Sequence, residues 1–417
     1  MKMSRQFLAG LMLISVFSLQ PLALHAQGSL TPTGAPAPSM KSLAQIEPRT
    51  PINTISGDSQ DLYVIIQPGS YYLTTNITAT GSFNAISINT NGVSLDLNGF
   101  TISSTGANGT GILLVGNQVT SIGNTDITIS NGHITGGVTN NAGTYVGPGF
   151  YNGIAYNISG GTPDNIRVSG VSVSGCQYFG ILLGTGNSTV AESCTVNLVG
   201  SYGIQASGVF HCTAVQCGAA AINADNATDC YGSCVGSGDG MIVSYAADNC
   251  FVTSVTGAGL LASTAHDCMA MSSGSGDGMD VGTASDCYGY CSGSGEGLRV
   301  QDTADNCFGY TGGSGIGLFA PLANNCYGDS VSGTGLLAGA ADNCNGHCVG
   351  TGTGLSASSA NNCIGGTGGG GTGLDVDGVA IGCYCFSFSG VAITAHIANS
   401  CVVDYGTTNI TYKYNMP

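Results

Sequence analysis

Residues 295–307 read Gly295-Glu296-Gly297-Leu298-Arg299-Val300-Gln301-Asp302-Thr303-Ala304-Asp305-Asn306-Cys307, and this stretch decides the fold. Leu298 and Val300 lie two apart with a tolerant position between them, the mark of a strand with one buried face. A Gly-x-Gly precedes them and an Asp-Asn pair follows; both are corner formers. The phrase recurs as Gly259-Leu260-Leu261-Ala262 before it and Gly335-Leu336-Leu337-Ala338 after it. Each copy runs to a cysteine, at 176, 194, 212, 230, 250, 268, 287, 307, 326, 344, 363, 383 and 401, and every interval is 18, 19 or 20 residues. Self-similarity sustained at that period means a solenoid.

Aligning the copies sorts the side chains by direction. Leu260, Met279, Leu298, Leu318, Leu336, Leu355 and Leu374 stack inward, while Leu261, Asp280, Arg299, Phe319, Leu337, Ser356 and Asp375 point out. A second short strand begins at each cysteine. Its inward positions hold small residues: Gly289, Gly309 and Gly328 two beyond the cysteine, Ser272, Cys291 and Thr311 four beyond it. Small residues suit a narrow, filled lumen, so the cysteines are placed inside with them. Such a coil belongs to an all-β, single parallel β-helix, each rung pairing with the next about 4.8 Å away. Upstream, Ile86, Ile112, Ile154, Ile181, Ile204 and Ile222 align with steps of 26, 42, 27, 23 and 18, so the coils narrow toward the C-terminus. The 42-residue step holds a projecting loop near 138–151, which reads as a binding overhang or a plain excursion.

Composition supports this outline. The 417 residues include 69 Gly, and only 7% are charged, with a net of −16. That much glycine argues against helices, and the charge argues against a nucleic-acid partner. Met1–Gln6 is basic, Phe7–Leu19 is an apolar run of 13, and Ala26 offers a cleavage site, so 1–26 reads as a signal peptide. Without it, five cations face 23 acids, a net of −18. Residues 27–52 read as a Pro-rich linker, 53–405 as the β-helix and 406–417 as a tail or cap. No stretch after the signal reaches the ~20 apolar residues of a membrane span.

Four segments, Gly34-Ala-Pro-Ala-Pro-Ser-Met-Lys41, Gln45-Ile-Glu-Pro-Arg-Thr-Pro-Ile52, Gln67-Pro-Gly-Ser-Tyr-Tyr-Leu73 and Val93-Ser-Leu-Asp-Leu-Asn-Gly-Phe-Thr-Ile102, carry a resemblance. They resemble exported bacterial right-handed parallel β-helix repeat proteins of the pectin lyase-like superfamily. The resemblance implies a right-handed coil and a secreted, periplasmic or cell-surface protein. That superfamily holds polysaccharide lyases, hydrolases, epimerases, acetylesterases and non-catalytic adhesins, so fold leaves function open.

Several constellations are candidates for chemistry. Asn124-Thr125-Asp126 and Gly132-His133 resemble fragments of a polygalacturonase set, but the second carboxylate that glycosidic hydrolysis needs is missing. Lyase chemistry needs carboxylates holding Ca²⁺ and a basic residue to take the proton. The alignment stacks Asp277 on Glu296 and Asp280 on Arg299, with Asp239 two rungs before Asp277. Asp277, Asp280, Glu296 and Arg299 are therefore the catalytic candidates, and Asp239, Asp277 and Glu296 the calcium candidates. The alternative reading of this group is surface solvation plus one ion pair. One position after each cysteine runs an outward column with Tyr231, Phe251, Tyr288, Phe308, Tyr327 and Tyr384. Those rings suit a sugar, each other, or a partner protein. The cysteines read as buried free thiols, with disulfides or a metal at Cys344-x-x-His347-Cys348 as alternatives. The leading expectation is a non-catalytic exported protein that binds extracellular polysaccharide or belongs to the cell envelope; the rival is a polysaccharide lyase or related enzyme.

Overall fold

The computed structural model describes residues 49–186 and 188–416. The expected signal peptide, residues 1–26, and residues 27–48 of the expected linker lie outside the described residues. The rest is a parallel β-solenoid of about 19 turns, with 38 strands in one continuous sheet. Pairing begins at Thr50–Pro51, inside the expected linker, and ends with Thr407–Tyr414, a strand paired to Val391–Asn399 where a tail or cap was expected.

The narrow coils have one long and one short strand, the long one split into Leu298–Val300 and Thr303–Asp305 in the coil of Arg299. Met279–Ser285 pairs with Leu260–His266, and Tyr288–Cys291 with Met269–Ser272. The inward aliphatic column runs Leu260, Met279, Leu298, Leu318, Leu336, Leu355 and Leu374 in register, every member fully buried. The six upstream isoleucines also pair successively, as the alignment expects.

The corner before each cysteine has a clear cause. Asp229, Asn249, Asp267, Asp286, Asn306, Asn325, Asn343 and Asn362 all have φ between 50 and 55°, Gly382 takes the same place at 63°, and Ser193, His211 and Ser400 hold it at 52, 53 and 56°. Only glycine and the short Asn and Asp side chains enter that left-handed region readily. The buried hydroxyl column has a cause too. Ser254, Ser272, Thr311, Ser330, Thr367 and Ser387 donate to the Gly238, Gly257, Gly295, Gly315, Gly350 and Gly371 carbonyls at 2.7–3.0 Å. A corner carbonyl is thus satisfied inside the lumen, where water cannot reach it.

All 18 cysteines are buried and none is bonded to another. One placement corrects the sequence alignment. Cys176 pairs with Val199, and through it with Cys217 and Cys234, so it stands in the hydroxyl column instead of the main cysteine column. The reason is local: Asp164–Cys176 is one strand of 13 residues in a broad coil, and its cysteine falls at the far end. Burial pushes the Cys176 thiol up to about 12.

The loop near 138–151 is an antiparallel hairpin, Thr139–Asn141 against Thr144–Val146. It lies back on the solenoid. The Tyr145 hydroxyl donates to the Gln216 carbonyl at 3.0 Å, and burial pushes it up to about 12. Among the described residues no helix is long and apolar enough to cross a membrane.

Candidate functional site

The four catalytic candidates do meet on one side of adjacent coils. Asp280 and Arg299 are direct cross-rung partners. Arg299 Nη1 lies 3.7 Å from Glu296 Oε1, and its guanidinium stands 5.8 Å from the Phe319 ring centre. Gln301 Nε2 donates to Asp280 Oδ1 at 3.3 Å. Asp277 Oδ1 accepts from the Glu296 backbone N–H at 2.7 Å, and Asp239 Oδ1 accepts from the Ala258 N–H at 2.8 Å. The two aspartates therefore do one job at equivalent corners: each holds the next coil's amide. Asp239, Asp277 and Glu296 do not converge as a group of three metal ligands among the described residues.

Burial, outweighing Arg299, holds the Glu296 carboxyl above its ordinary range, and burial raises Asp277 as well. Glu296 Oε2 is buried without a hydrogen-bond partner. A carboxyl whose folded pKa is raised favours the folded chain while protonated, and that stability is lost as pH rises through the folded value. Glutamine at 296 is neutral throughout. Glu296→Gln is therefore expected to exceed the parent in stability at pH 7 by roughly 0.5–1 kcal/mol. The gain shrinks toward pH 4, which thermal melts across that range would read.

The aromatic column is ordered differently from a sugar platform. Tyr231 and Phe251 stack with centroids 5.3 Å apart, Tyr288 and Phe308 at 4.9 Å, and Phe308 and Tyr327 at 5.0 Å, all within 7° of parallel. Parallel rings this close cannot lie side by side in one plane, so each shows its face to the next and its edge to solvent. The faces between neighbours are used up by one another, which stabilises the sheet, and only the end rings of each stack keep an outer face. Tyr384 stands apart, its hydroxyl donating to Asp404 Oδ2 at 2.8 Å.

A second outward column, two residues further along each short strand, escaped the sequence reading. It runs Ser233, Thr253, Met271, Tyr290 and Tyr310 in register. Tyr290 and Tyr310 stack at 5.2 Å. On the other side of Tyr290 the column drops to a thioether and two hydroxyls, and a groove of about 240 Å³ opens there. Ser233, Val235, Thr253, Val255, Met271 and Tyr290 are among its lining residues. Thr253 Oγ1 donates to Ser233 Oγ at 2.9 Å. The signal was present in the sequence as a size change along one column, from Ser and Thr to Tyr.

Asn124, Asp126 and His347 are tied to neighbouring coils. Asn124 Oδ1 accepts from Gly116 N–H at 2.7 Å and its Nδ2 donates to the Thr90 carbonyl at 3.0 Å. Those bonds hold the wall of an open cavity of about 610 Å³ in the broad coils. Asp126 accepts from Asn165 Nδ2, and His133 is exposed. His347 Nδ1 lies 3.0 Å from Asp329 Oδ1, so it is held by the neighbouring rung.

No family model matches the chain, and no curated protein does. Among solved structures it is similar to tailspike protein 2 of Escherichia coli O157:H7 bacteriophage CAB120, at 12% identity and a TM-score of 0.28. That match covers 75% of this chain and 42% of the tailspike, so the chain spans less than half of the phage protein. It is also similar to the A-module of the Azotobacter vinelandii mannuronan C-5 epimerase AlgE4, at 9% identity and a TM-score of 0.29, over 83% of this chain and 88% of the module. A third likeness is to PfbA, a surface adhesin of Streptococcus pneumoniae, at 10% identity and a TM-score of 0.21, over 88% and 93%. The fold stands on the strand pairings above and not on these distant likenesses.

Proposed function

We propose that this chain is a non-catalytic polysaccharide-binding β-helix of the cell exterior, and that the groove beside Tyr290 is its glycan contact. The observation that supports the reading is the end of the Tyr290–Tyr310 stack, where one ring face looks along the column over Met271, Thr253 and Ser233. An aromatic face packs against the C–H side of a sugar, and neighbouring hydroxyls exchange hydrogen bonds with its OH groups. No cation lines the groove, and the chain's net charge is −16, so the glycan it suits is neutral. Export rests on the sequence of residues 1–26.

Affinity electrophoresis against neutral and acidic polysaccharides tests this. Tyr290→Ala is expected to weaken binding to a neutral glycan about tenfold. Tyr327→Ala, at the far end of the other stack, leaves it unchanged. Equal binding by parent and Tyr290→Ala removes the groove from the reading, and no binding to any glycan removes the reading itself. A lyase is the second reading, favoured by the unpartnered Glu296 oxygen beside Arg299. Oligosaccharide release that disappears in Arg299→Ala would select it.

A further inference from the structure

The glycan reading leaves the most regular feature of the molecule unused. With Cys176 removed, twelve cysteines from Cys194 to Cys401 occupy one inward position in twelve successive coils. The other small inward positions vary freely: Val252, Ala270 and Gly289 in one column, Ser254, Cys291 and Thr311 in the next. Packing volume alone would admit alanine, serine or valine in the cysteine column as well. Over these twelve coils the column contains none, although the residues around each cysteine change from coil to coil and Val171 takes the place in the coil just before Cys194.

From Cys230 to Cys401 ten thiols form an unbroken file. Consecutive members face each other across each gap closely enough to interact electrostatically, as Cys250 does with Cys230 and Cys268, and Cys326 with Cys307 and Cys344. Each is also anchored to carbonyls: Cys344 Sγ lies 3.2 Å from both the Ala323 and the Asp342 oxygen, which share its single S–H. No member of the file is more than 3% exposed.

We propose that this file is a binding site for a soft monovalent cation, copper(I), held in two-coordinate fashion between sulfurs of neighbouring coils. The rung spacing supplies the geometry. With the ~2.3 Å of a zinc–thiolate bond as the scale, two metal–thiolate bonds span ~4.6 Å, close to the ~4.8 Å between rungs. Ions that demand four ligands are excluded by the same arithmetic, since each gap offers two sulfurs. Among the described residues the one group of three mutually close ligands is His266, Asp267 and Asp286 on the surface, without a cysteine. Soft thiolates select copper(I) over harder ions.

Charge closes the argument. Each copper(I) displaces one thiol proton to solvent, so R–SH + Cu⁺ becomes R–S–Cu + H⁺, with no change of oxidation state. An interior thiolate bridges the metals above and below it. Ten thiols leave nine gaps, and nine copper ions with one remaining proton make a neutral file. Neutrality matters because an uncompensated charge in a dry core is costly.

The test loads the full chain with copper(I) under anaerobic conditions, both as folded protein and with copper present during expression. Bound metal is counted after desalting. The expected result is close to nine copper ions per chain in the expression-loaded protein, one proton released per ion, two sulfur neighbours per copper by X-ray absorption, and an unchanged β circular-dichroism spectrum. Cys307→Ala interrupts two gaps and is expected to lower the count by about two; Cys176→Ala, outside the file, leaves it unchanged. Should Cys307→Ala fail to fold, the X-ray absorption of the parent still decides. Absence of copper in the expression-loaded chain, three or four sulfur neighbours, or loss of the β spectrum on loading overturns the proposal.

Discussion

Gly309→Ala is expected to destabilise the coils around it by about 3 kcal/mol or more. The methyl group would sit 2.1 Å from the Gly317 carbonyl oxygen and 2.9 Å from Leu318 Cβ. Neither neighbour can give way. Gly317 belongs to the paired strand Ile316–Asn324, and Leu318 is wholly buried between Leu298 and Leu336. The same clash recurs at Gly328 and Gly346, 2.2 and 2.4 Å from the Gly335 and Gly354 carbonyls, so the lumen is closed at this position in these coils, whereas Val252 and Ala270 fit it further up the stack. Gly370→Ala is the control, its added methyl meeting nothing nearer than Ser389 Oγ at 3.4 Å. Circular-dichroism melts would show the first variant far below the second. If the two melt together, the lumen is wider than these contacts allow.

Removing one whole coil should be tolerated where removing half a coil is not. Deletion of residues 308–326 joins Cys307 to Tyr327, and the strand Tyr288–Cys291 then meets Tyr327–Ser330 in unchanged register. Each coil contacts only its neighbours, so stability falls by one nearest-neighbour step and the chain still melts as a β-helix. Deletion of 308–317 leaves a coil without its short strand and puts every later inward residue out of step. That chain is expected to lose the C-terminal coils, with limited proteolysis cutting after residue 307. Equal protease resistance of the two deletions would show that register is not what holds the stack together.

Much of this architecture is legible in one dimension because a solenoid converts sequence period into spatial register. Leu298 and Leu318 pair because they are one coil apart, and the cysteine interval measures that coil. Cys176 was misplaced for the same reason: its spacing to Cys194 matches the period, but the broad coil around Val173 sets a different corner. The carboxylate group was also readable, since Asp280 and Arg299 align. Its use was not, because the Asp277 carboxylate points back to the Glu296 amide, and periodicity says nothing of side-chain torsion.

The groove beside Tyr290 shows the limit most clearly. The sequence by itself determined the parallel β-helix, the inward columns and the faces on which aromatic residues emerge, since these follow from strand alternation and a constant repeat length. Only the tertiary structure decided that the first aromatic column turns its faces inward on itself, and that the second ends at Tyr290 above small side chains. Ring orientation depends on rotamers chosen against neighbours in adjacent coils, about nineteen residues away in the chain and about 4.8 Å away in space.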